Sequence, residues 1–184
     1  MNYYISDLHW GHNNVLDFDN RPFKTVEEMR DHMIEEWNKI VEKNDNVYIL
    51  GDCVWKNSEW EYVQKLNGVK HLIRGNHDHI NSEAKKCFVS IEPYAEIKDG
   101  DTFVVLSHFP IASFNRAHHG AVHLYGHVHT GWDRAVLKPV AESFEQHFNK
   151  PFLAFNVGCM LDYMNYKPRT LKEILETATR PALM

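Results

Sequence analysis

The sequence contains no apolar run long enough to cross a membrane. Apolar stretches such as 47–50 and 103–106 fall far short of the roughly 18 consecutive residues that indicate a spanning helix. The first five residues run directly into a polar segment at 6–9, which leaves no room for a leader with a charged region, an apolar region and a cleavage site. We therefore expect a cytoplasmic protein with no membrane partner.

Cysteine and basic charge are also scarce. The three cysteines, Cys53, Cys87 and Cys159, are an odd number at wide spacing with no CxxC pair, which argues against a disulfide framework or a zinc knuckle and predicts reduced thiols. With 20 basic against 25 acidic residues, a net charge of -5 and no dense basic tract, the chain is not expected to bind duplex nucleic acid by charge. A phosphate ligand would need positive charge that is local to its site.

Histidine, by contrast, is abundant. The chain has 13 histidines among 184 residues, and histidine is both the commonest metal ligand and the side chain that titrates nearest to neutral pH. A chain of this length, with 43% hydrophobic residues, buries about 70% of its unfolded surface, so it needs no structural metal in order to fold. We predict one domain over residues 1–184, in which any metal serves chemistry.

The apolar pattern predicts an α/β fold in which a parallel portion precedes an antiparallel one. A capping box at Thr25 and Glu28 begins a helix with apolar residues at helical spacing. An Asp-Gly turn within 98–101 predicts a hairpin. The predicted strands are 3–5, 47–50, 69–73, 91–97, 102–106, 121–125 and 152–157, and the predicted helices are 26–41, 58–66 and one that begins at Thr170.

Five short polar motifs each follow one of these strands. They combine carboxylate, imidazole and amide side chains, a mixture that suits Mn, Fe, Zn or Ni. Because strand ends meet at one edge of an α/β sheet, we expect the motifs to converge there. The donors are too many for one ion and suit two ions, about 3.5 to 4 Å apart, that share a carboxylate. The motifs are Asp7-Leu8-His9, Gly51-Asp52, Gly75-Asn76-His77-Asp78, His108 and Gly126-His127-Val128-His129.

This ordered set, which extends from Asp7 to His129, resembles the calcineurin-like metallophosphoesterase family. Flanking strings at 18–23, 123–126 and 156–158 further resemble the small bacterial and phage members. The resemblance implies a four-layer α/β/β/α sandwich with mixed sheets. It also implies a metal-dependent phosphoric ester hydrolase, acting as a phosphodiesterase or phosphatase, that binds two divalent ions.

The resemblance also implies roles for individual residues. One metal would be held by Asp7, His9, Asp52 and His129, and the other by Asp52, Asn76, His108 and His127. A hydroxide that bridges the two ions would attack phosphorus in line with the leaving oxygen, and His77 would protonate that oxygen as a general acid. The serine/threonine phosphatase branch has an aspartate that orients this histidine, but here that position is Trp55. We therefore assign the task to Asp78 or to a backbone carbonyl.

The predicted substrate is a small phosphate ester, and we favour a phosphodiester or nucleotide over a phosphoprotein. The segment 109–122 lies between two ligand histidines in sequence and should form the rim of the site, where an aromatic side chain beside polar donors could stack on a nucleobase. The candidate substrate-binding residues are Asn76, Arg21, Arg116, His118 and His119. A surface ion pair is the alternative role for Arg21.

Two other functions fit the same residues. One is a metal-dependent nuclease that acts on single-stranded nucleic acid. The other is a binding scaffold of the same fold without catalysis, against which His77 and the complete ligand set argue. The stretch 132–148 is compatible with an extra helix, a cover over the site or a dimer contact.

Overall fold

The computed structural model describes residues 1–181, except for the side chains of residues 132 and 134. The last three residues of the predicted domain lie outside this range. Within it, nine strands form a five-stranded and a four-stranded sheet. The strands are β1 (Asn2–Ile5), β2 (Asn46–Ile49), β3 (Val69–Ile73), β4 (Ser90–Glu92), β5 (Tyr94–Asp99), β6 (Thr102–Ser107), β7 (Val122–Tyr125), β8 (Ala154–Asn156) and β9 (Arg169–Thr170). The helices are α1 (Val15–Phe18), α2 (Val26–Ile40), α3 (Trp60–Val63), α4 (Ser82–Cys87), α5 (Lys138–Phe148) and α6 (Leu171–Thr177).

The first sheet has the strand order β4-β3-β2-β1-β9. Its first four strands are parallel, and β9 runs antiparallel to β1. Helix α2 connects β1 to β2 and begins at Thr25, whose hydroxyl accepts a hydrogen bond from the N–H of Glu28 at 3.1 Å. The apolar stripe of α2, which includes Met33 and Trp37, is buried. The helix predicted from the capping box is therefore confirmed, and it ends one residue earlier than predicted.

The second sheet has the order β5-β6-β7-β8, with the predicted β5–β6 hairpin at one edge. Alternate residues of β6 face different layers. Val104 and Leu106 pack into the core shared with the first sheet, whereas Val105 packs into a second core with Leu137 and Ala141. Helix α5 therefore covers the outer face of this sheet, so the stretch 132–148 contributes an extra helix. The predicted α/β/β/α sandwich with mixed sheets is confirmed.

Two predicted elements differ from the structure. The strand expected at 91–97 is two strands, because β4 pairs with β3 in the first sheet and β5 pairs with β6 in the second. Pro93 stands between them, and a proline has no N–H with which to continue a ladder. The helix expected at 58–66 is a 3-10 turn at Asn57–Glu59 followed by the short α3. The N–H groups of Lys65 and Leu66 then bond to carbonyls three residues back, which converts the remainder into turns.

No helix among the described residues is long and apolar enough to pass through a lipid bilayer.

Candidate metal centre

The ends of five strands bring the polar motifs to one edge of the sandwich. Backbone hydrogen bonds tie the turns together there: the N–H of Asp7 bonds to the carbonyl of Gly51 at 3.0 Å, and that of Gly126 bonds to the carbonyl of His108 at 2.9 Å. The motif side chains form two groups, and within each group the potential ligand atoms lie within 4.8 Å of one another. The first group is Asp7, His9 and His129, and the second group is Asp52, His108 and His127.

A carboxylate oxygen of Asp52 lies between the two groups. Its Oδ2 is 3.6 Å from Nε2 of His9 and 3.5 Å from Nε2 of His108. Asn76 adds an amide to the second group, because its Oδ1 is 3.0 Å from Nε2 of His108. The structure thus brings all the predicted ligand residues together, with Asp52 at the position where a shared ligand would lie.

In two of the candidate ligand histidines, the ring nitrogen Nδ1 is held by a hydrogen bond. Nδ1 of His108 donates to the carbonyl of Leu50 at 2.8 Å, and Nδ1 of His129 lies 2.9 Å from a carboxylate oxygen of Asp19. Such a partner fixes the ring orientation and leaves Nε2 free to bind a metal. Imidazole nitrogens that converge with carboxylate oxygens in this way fit a divalent transition-metal ion.

Burial and charge pairing shift the ionisation of the metal-free groups. Burial opposes the charge on His129, but its hydrogen bonds to Asp19 and Asp7 outweigh this effect and raise its pKa to about 10. At His108 burial is likewise outweighed by the neighbouring carboxylates, and the pKa rises to about 9. Burial dominates at His9 and lowers its pKa to about 3. Metal ions must therefore displace protons from this centre, because ligands bind in their deprotonated form.

The ligand turns adopt backbone conformations that residues other than glycine rarely occupy. The φ angles of Asp7, His9, Asp52 and His127 are 58°, 52°, 51° and 70°, all in the left-handed region. Each such residue costs about 1–3 kcal/mol and persists only where the surrounding structure holds it. The concentration of this strain at four candidate ligands indicates a functional constraint on these turns.

Two glycines leave room for the ligand carboxylates. A Cβ atom at Gly75 would overlap Oδ1 of Asp52, and a Cβ atom at Gly126 would overlap the side chains of Ser6 and Asp7. Any larger residue at either position would displace a carboxylate of the centre.

An open cavity of about 320 Å³ lies over both groups. Besides candidate ligands, its lining consists of His12, Phe18, Trp55 and His77. Among the described residues that line it there is neither a lysine nor an arginine. Across the centre, the half-exposed Phe109 packs against His127 with ring centroids 4.5 Å apart. The described lining of the cavity is therefore aromatic apart from the candidate ligands and His77, and it includes no basic clamp.

A family model described as calcineurin-like phosphoesterase matches residues 3–97. The chain belongs to the calcineurin-like phosphoesterase family. An uncharacterized protein of Methanocaldococcus jannaschii is 30% identical over 95% of this chain and 89% of its own length. The Gene 66 protein of Mycobacterium phage L5 is 28% identical over 70% of this chain and 77% of its own. The crystal structure of a protein of unknown function from Aquifex aeolicus matches with a TM-score of 0.70 and 25% identity, covering 96% of this chain and 98% of that chain.

Membership of the calcineurin-like phosphoesterase family makes the chain a metal-dependent phosphoester hydrolase. The family implies divalent metal ions, and the two groups of candidate ligands are where this chain would hold them.

Arg21 of this phosphoesterase supports the ligand turns and does not reach the cavity. Its buried guanidinium donates to Asp19 at 2.8 and 3.0 Å and to the carbonyls of Asp7 at 2.9 Å and Leu8 at 3.1 Å. The side chain has no exposed surface, so the prediction that Arg21 binds substrate is wrong, as is its alternative as a surface ion pair. Sequence reasoning also misses Asp19, although its place beside Arg21 in the string 18–23 was an available signal.

Asp78 likewise has a different role from the one predicted. Its carboxylate accepts hydrogen bonds from the backbone N–H groups of Gly75 at 2.8 Å, Asp52 at 3.0 Å and Cys53 at 2.9 Å. It therefore braces the turns after β2 and β3, and the prediction that it positions His77 is wrong. The ring of His77 instead packs against Trp55, with centroids 4.8 Å apart. Its role as a general acid stays a prediction.

The predicted substrate rim at 109–122 is wrong apart from Phe109. Arg116 and His119 line a separate cavity of about 500 Å³ beside Phe103, near the start of β6, and His118 stacks on Phe148 of α5. The six residues of β6 span about 17 Å between that cavity and the metal centre. The reason is topological: β7 runs parallel to β6, so the chain must return to the opposite end of the sheet before β7 begins.

Proposed function

We propose that the chain hydrolyses a phosphodiester and that it binds two divalent cations to do so. Asp7, His9 and His129 would hold one cation, Asn76, His108 and His127 would hold the other, and Asp52 would contact both. Bound cations would polarise the phosphoryl oxygens and supply a water acidic enough to act as the nucleophile. The position of Asp52 Oδ2, between His9 and His108, supports this assignment.

The lining of the cavity favours a diester over a monoester as the substrate. A monoester dianion usually needs cationic side chains in addition to metals, and none is present among the described residues that line the cavity. Two divalent cations against two ligand aspartates leave a net charge of about +2, and the hydroxide nucleophile would reduce it to about +1, which suits a singly charged diester. Aromatic side chains beside the centre suit the second ester group, which a diester carries and a monoester lacks.

His77 is the residue best placed to protonate the leaving oxygen. It lines the cavity but belongs to neither ligand group. Its backbone N–H donates to Oδ1 of Asp52 at 3.0 Å, which fixes the residue beside the shared carboxylate. A histidine with a free ring at this position can donate a proton as the phosphorus–oxygen bond breaks.

The test compares bis(p-nitrophenyl) phosphate with p-nitrophenyl phosphate as substrates of the Mn²⁺-loaded protein. We expect a higher kcat/KM for the diester, loss of turnover on chelation, and loss of turnover in Asp52→Asn. Preference for the monoester would contradict the choice of substrate. Full activity in Asp52→Asn, or elemental analysis that finds no more than one metal ion per active chain, would contradict the two-cation centre.

A further inference from the structure

Three aromatic side chains at the metal centre are unusually exposed for their size. Phe18, Trp55 and Phe109 have exposed fractions of 53%, 42% and 49%. Each has a ring contact with a histidine of the centre: Phe18 with His129, Trp55 with His77, and Phe109 with His127. Large apolar side chains left exposed at a cleft mark a binding surface.

Phe18 and Trp55 both line the cavity, and His12, which lines it too, contacts each of them. Trp55 stacks on His12, with ring centroids 4.0 Å apart and ring planes 19° apart. Phe18 also contacts His12, with ring centroids 5.6 Å apart and ring planes 55° apart. We refer to Phe18, His12 and Trp55 as the aromatic wall. It extends from beside His129, in the first group, to His77.

The backbone of the aromatic wall is held by the same turns that carry the ligands. The N–H of Trp55 bonds to the carbonyl of Trp10 at 2.8 Å, and the N–H of His12 bonds to the carbonyl of His9 at 3.0 Å. A bridge between Trp10 and Val54 ties the two segments together. Rings that are ordered before a ligand arrives lose little freedom on binding, which favours affinity.

We propose that the aromatic wall is a nucleobase subsite, which stacks on the base of a nucleotide phosphodiester whose phosphate lies at the two ligand groups. This inference rests on the proposed function. A flat unsaturated ring matches the exposed ring faces of Trp55 and Phe18, whereas the several hydroxyl groups of a glycerol or sugar ester group would find only the indole N–H of Trp55 as a partner on these two rings. In biological phosphodiesters the flat aromatic group is the base. Base stacking on aromatic side chains strengthens binding by about 5- to 150-fold per base.

The test measures binding by titration calorimetry on the Mn²⁺-loaded protein, with adenosine 5′-monophosphate and ribose 5-phosphate as probes. The two probes share the sugar and phosphate and differ in the base. We expect the wild-type protein to bind the nucleotide at least about tenfold more tightly. Trp55→Ala and Phe18→Ala should each reduce this ratio while leaving the Kd for ribose 5-phosphate unchanged, and Trp55→Phe should restore much of it. Phe148→Ala, which removes a ring of similar exposure on α5 (43%), is the matched control and should keep the wild-type ratio.

Equal affinity of the wild-type protein for both probes would overturn the subsite, and so would an unchanged ratio in both alanine variants. These outcomes are separable from failure of the proposed function. If the protein shows base-dependent binding through Trp55 but does not hydrolyse bis(p-nitrophenyl) phosphate, the subsite stands and the phosphodiesterase assignment fails.

Discussion

Asp19 connects the first ligand group to a buried positive charge, and its replacement should affect metal binding and stability separately. Its carboxylate accepts from Nδ1 of His129 at 2.9 and 3.0 Å and pairs with Arg21 at 2.8 Å. Asp19→Asn keeps the shape of the side chain but removes its charge. Arg21 and His129 both contact Oδ2 of Asp19, so in the asparagine variant both would contact a neutral amide, and the NH2 group in the place of Oδ1 would face Nδ1 of His129.

The magnitudes follow from the two partners. Loss of the carboxylate partner of a ligand histidine should weaken binding of one metal ion by about 10- to 100-fold. Leaving the buried Arg21 without its counter-ion costs about 3–5 kcal/mol, and the lower end applies because Arg21 keeps its hydrogen bonds to two backbone carbonyls. For a chain of this size, a loss of about 3 kcal/mol lowers Tm by about 6–12 °C.

Calorimetric titration of chelator-treated protein with Mn²⁺, together with scanning calorimetry, measures both effects. In Asp19→Asn we expect one Mn²⁺ ion to bind with reduced affinity and the other with wild-type affinity. Asp17→Asn, an exposed change on α1, should match wild type in both assays. If folded Asp19→Asn binds both ions with wild-type affinity while its Tm falls, Asp19 supports the fold alone and the reasoning is refuted.

Three further changes test other parts of the centre. His77→Ala should keep two bound metal ions by elemental analysis yet lose about 10²- to 10⁴-fold in turnover of an alkyl diester; wild-type turnover would remove His77 from catalysis. Gly126→Ala should abolish Mn²⁺ binding beside Asp7, because the added Cβ overlaps that carboxylate, whereas Gly131→Ala, at an ordinary φ of -72°, should bind as wild type in the same titration. In the metal-free protein His129 keeps its proton up to a pKa of about 10 because its carboxylate hydrogen bonds outweigh its burial, whereas an unfolded histidine loses it near about 6.5. Its contribution to the free energy of unfolding is therefore complete below about pH 6.5 and lost as the pH rises to about 10; urea titrations in which His129→Gln shows the same pH dependence as wild type over this window would contradict it.

The ligand positions could be predicted because metal binding demands particular side chains at particular places. Asp7, Asp52 and Asn76 each follow a strand that is recognisable as a short apolar run, and parallel strands bring their ends to one edge. The sequence shows which ligand side chain follows each strand, and the strand topology brings these side chains together. The supporting contacts carry no such local signal.

The predicted roles were wrong for residues whose actual role depends on contacts with residues distant in the sequence. Arg21 lies in a polar string that suggests exposure, yet it is buried between the turn after β1 and Asp19, whose other partner is 110 residues away. Arg116 follows a ligand histidine closely, but a parallel return carries it to the far end of the second sheet. Pro93 could be predicted to end a strand, because proline is rare inside strands. The sequence around it does not show that the chain then enters a different sheet, because this depends on the assembled fold.

The supporting residues explain how the ligand turns tolerate their strain. Asp52, with a φ of 51°, has its backbone N–H bonded to the buried carboxylate of Asp78, and Asp7, with a φ of 58°, has its carbonyl bonded to the buried guanidinium of Arg21. A hydrogen bond to a charged group contributes about 1.5–3 kcal/mol, which is close to the cost of about 1–3 kcal/mol for one residue in a strained conformation. Each of these two carboxylates is therefore held in a strained turn by a charged side chain that never faces the cavity. It follows that loss of Asp78 or Arg21 should weaken Mn²⁺ binding in the calorimetric titration by about 10- to 100-fold, the range for residues that support a ligand, although neither residue lines the cavity.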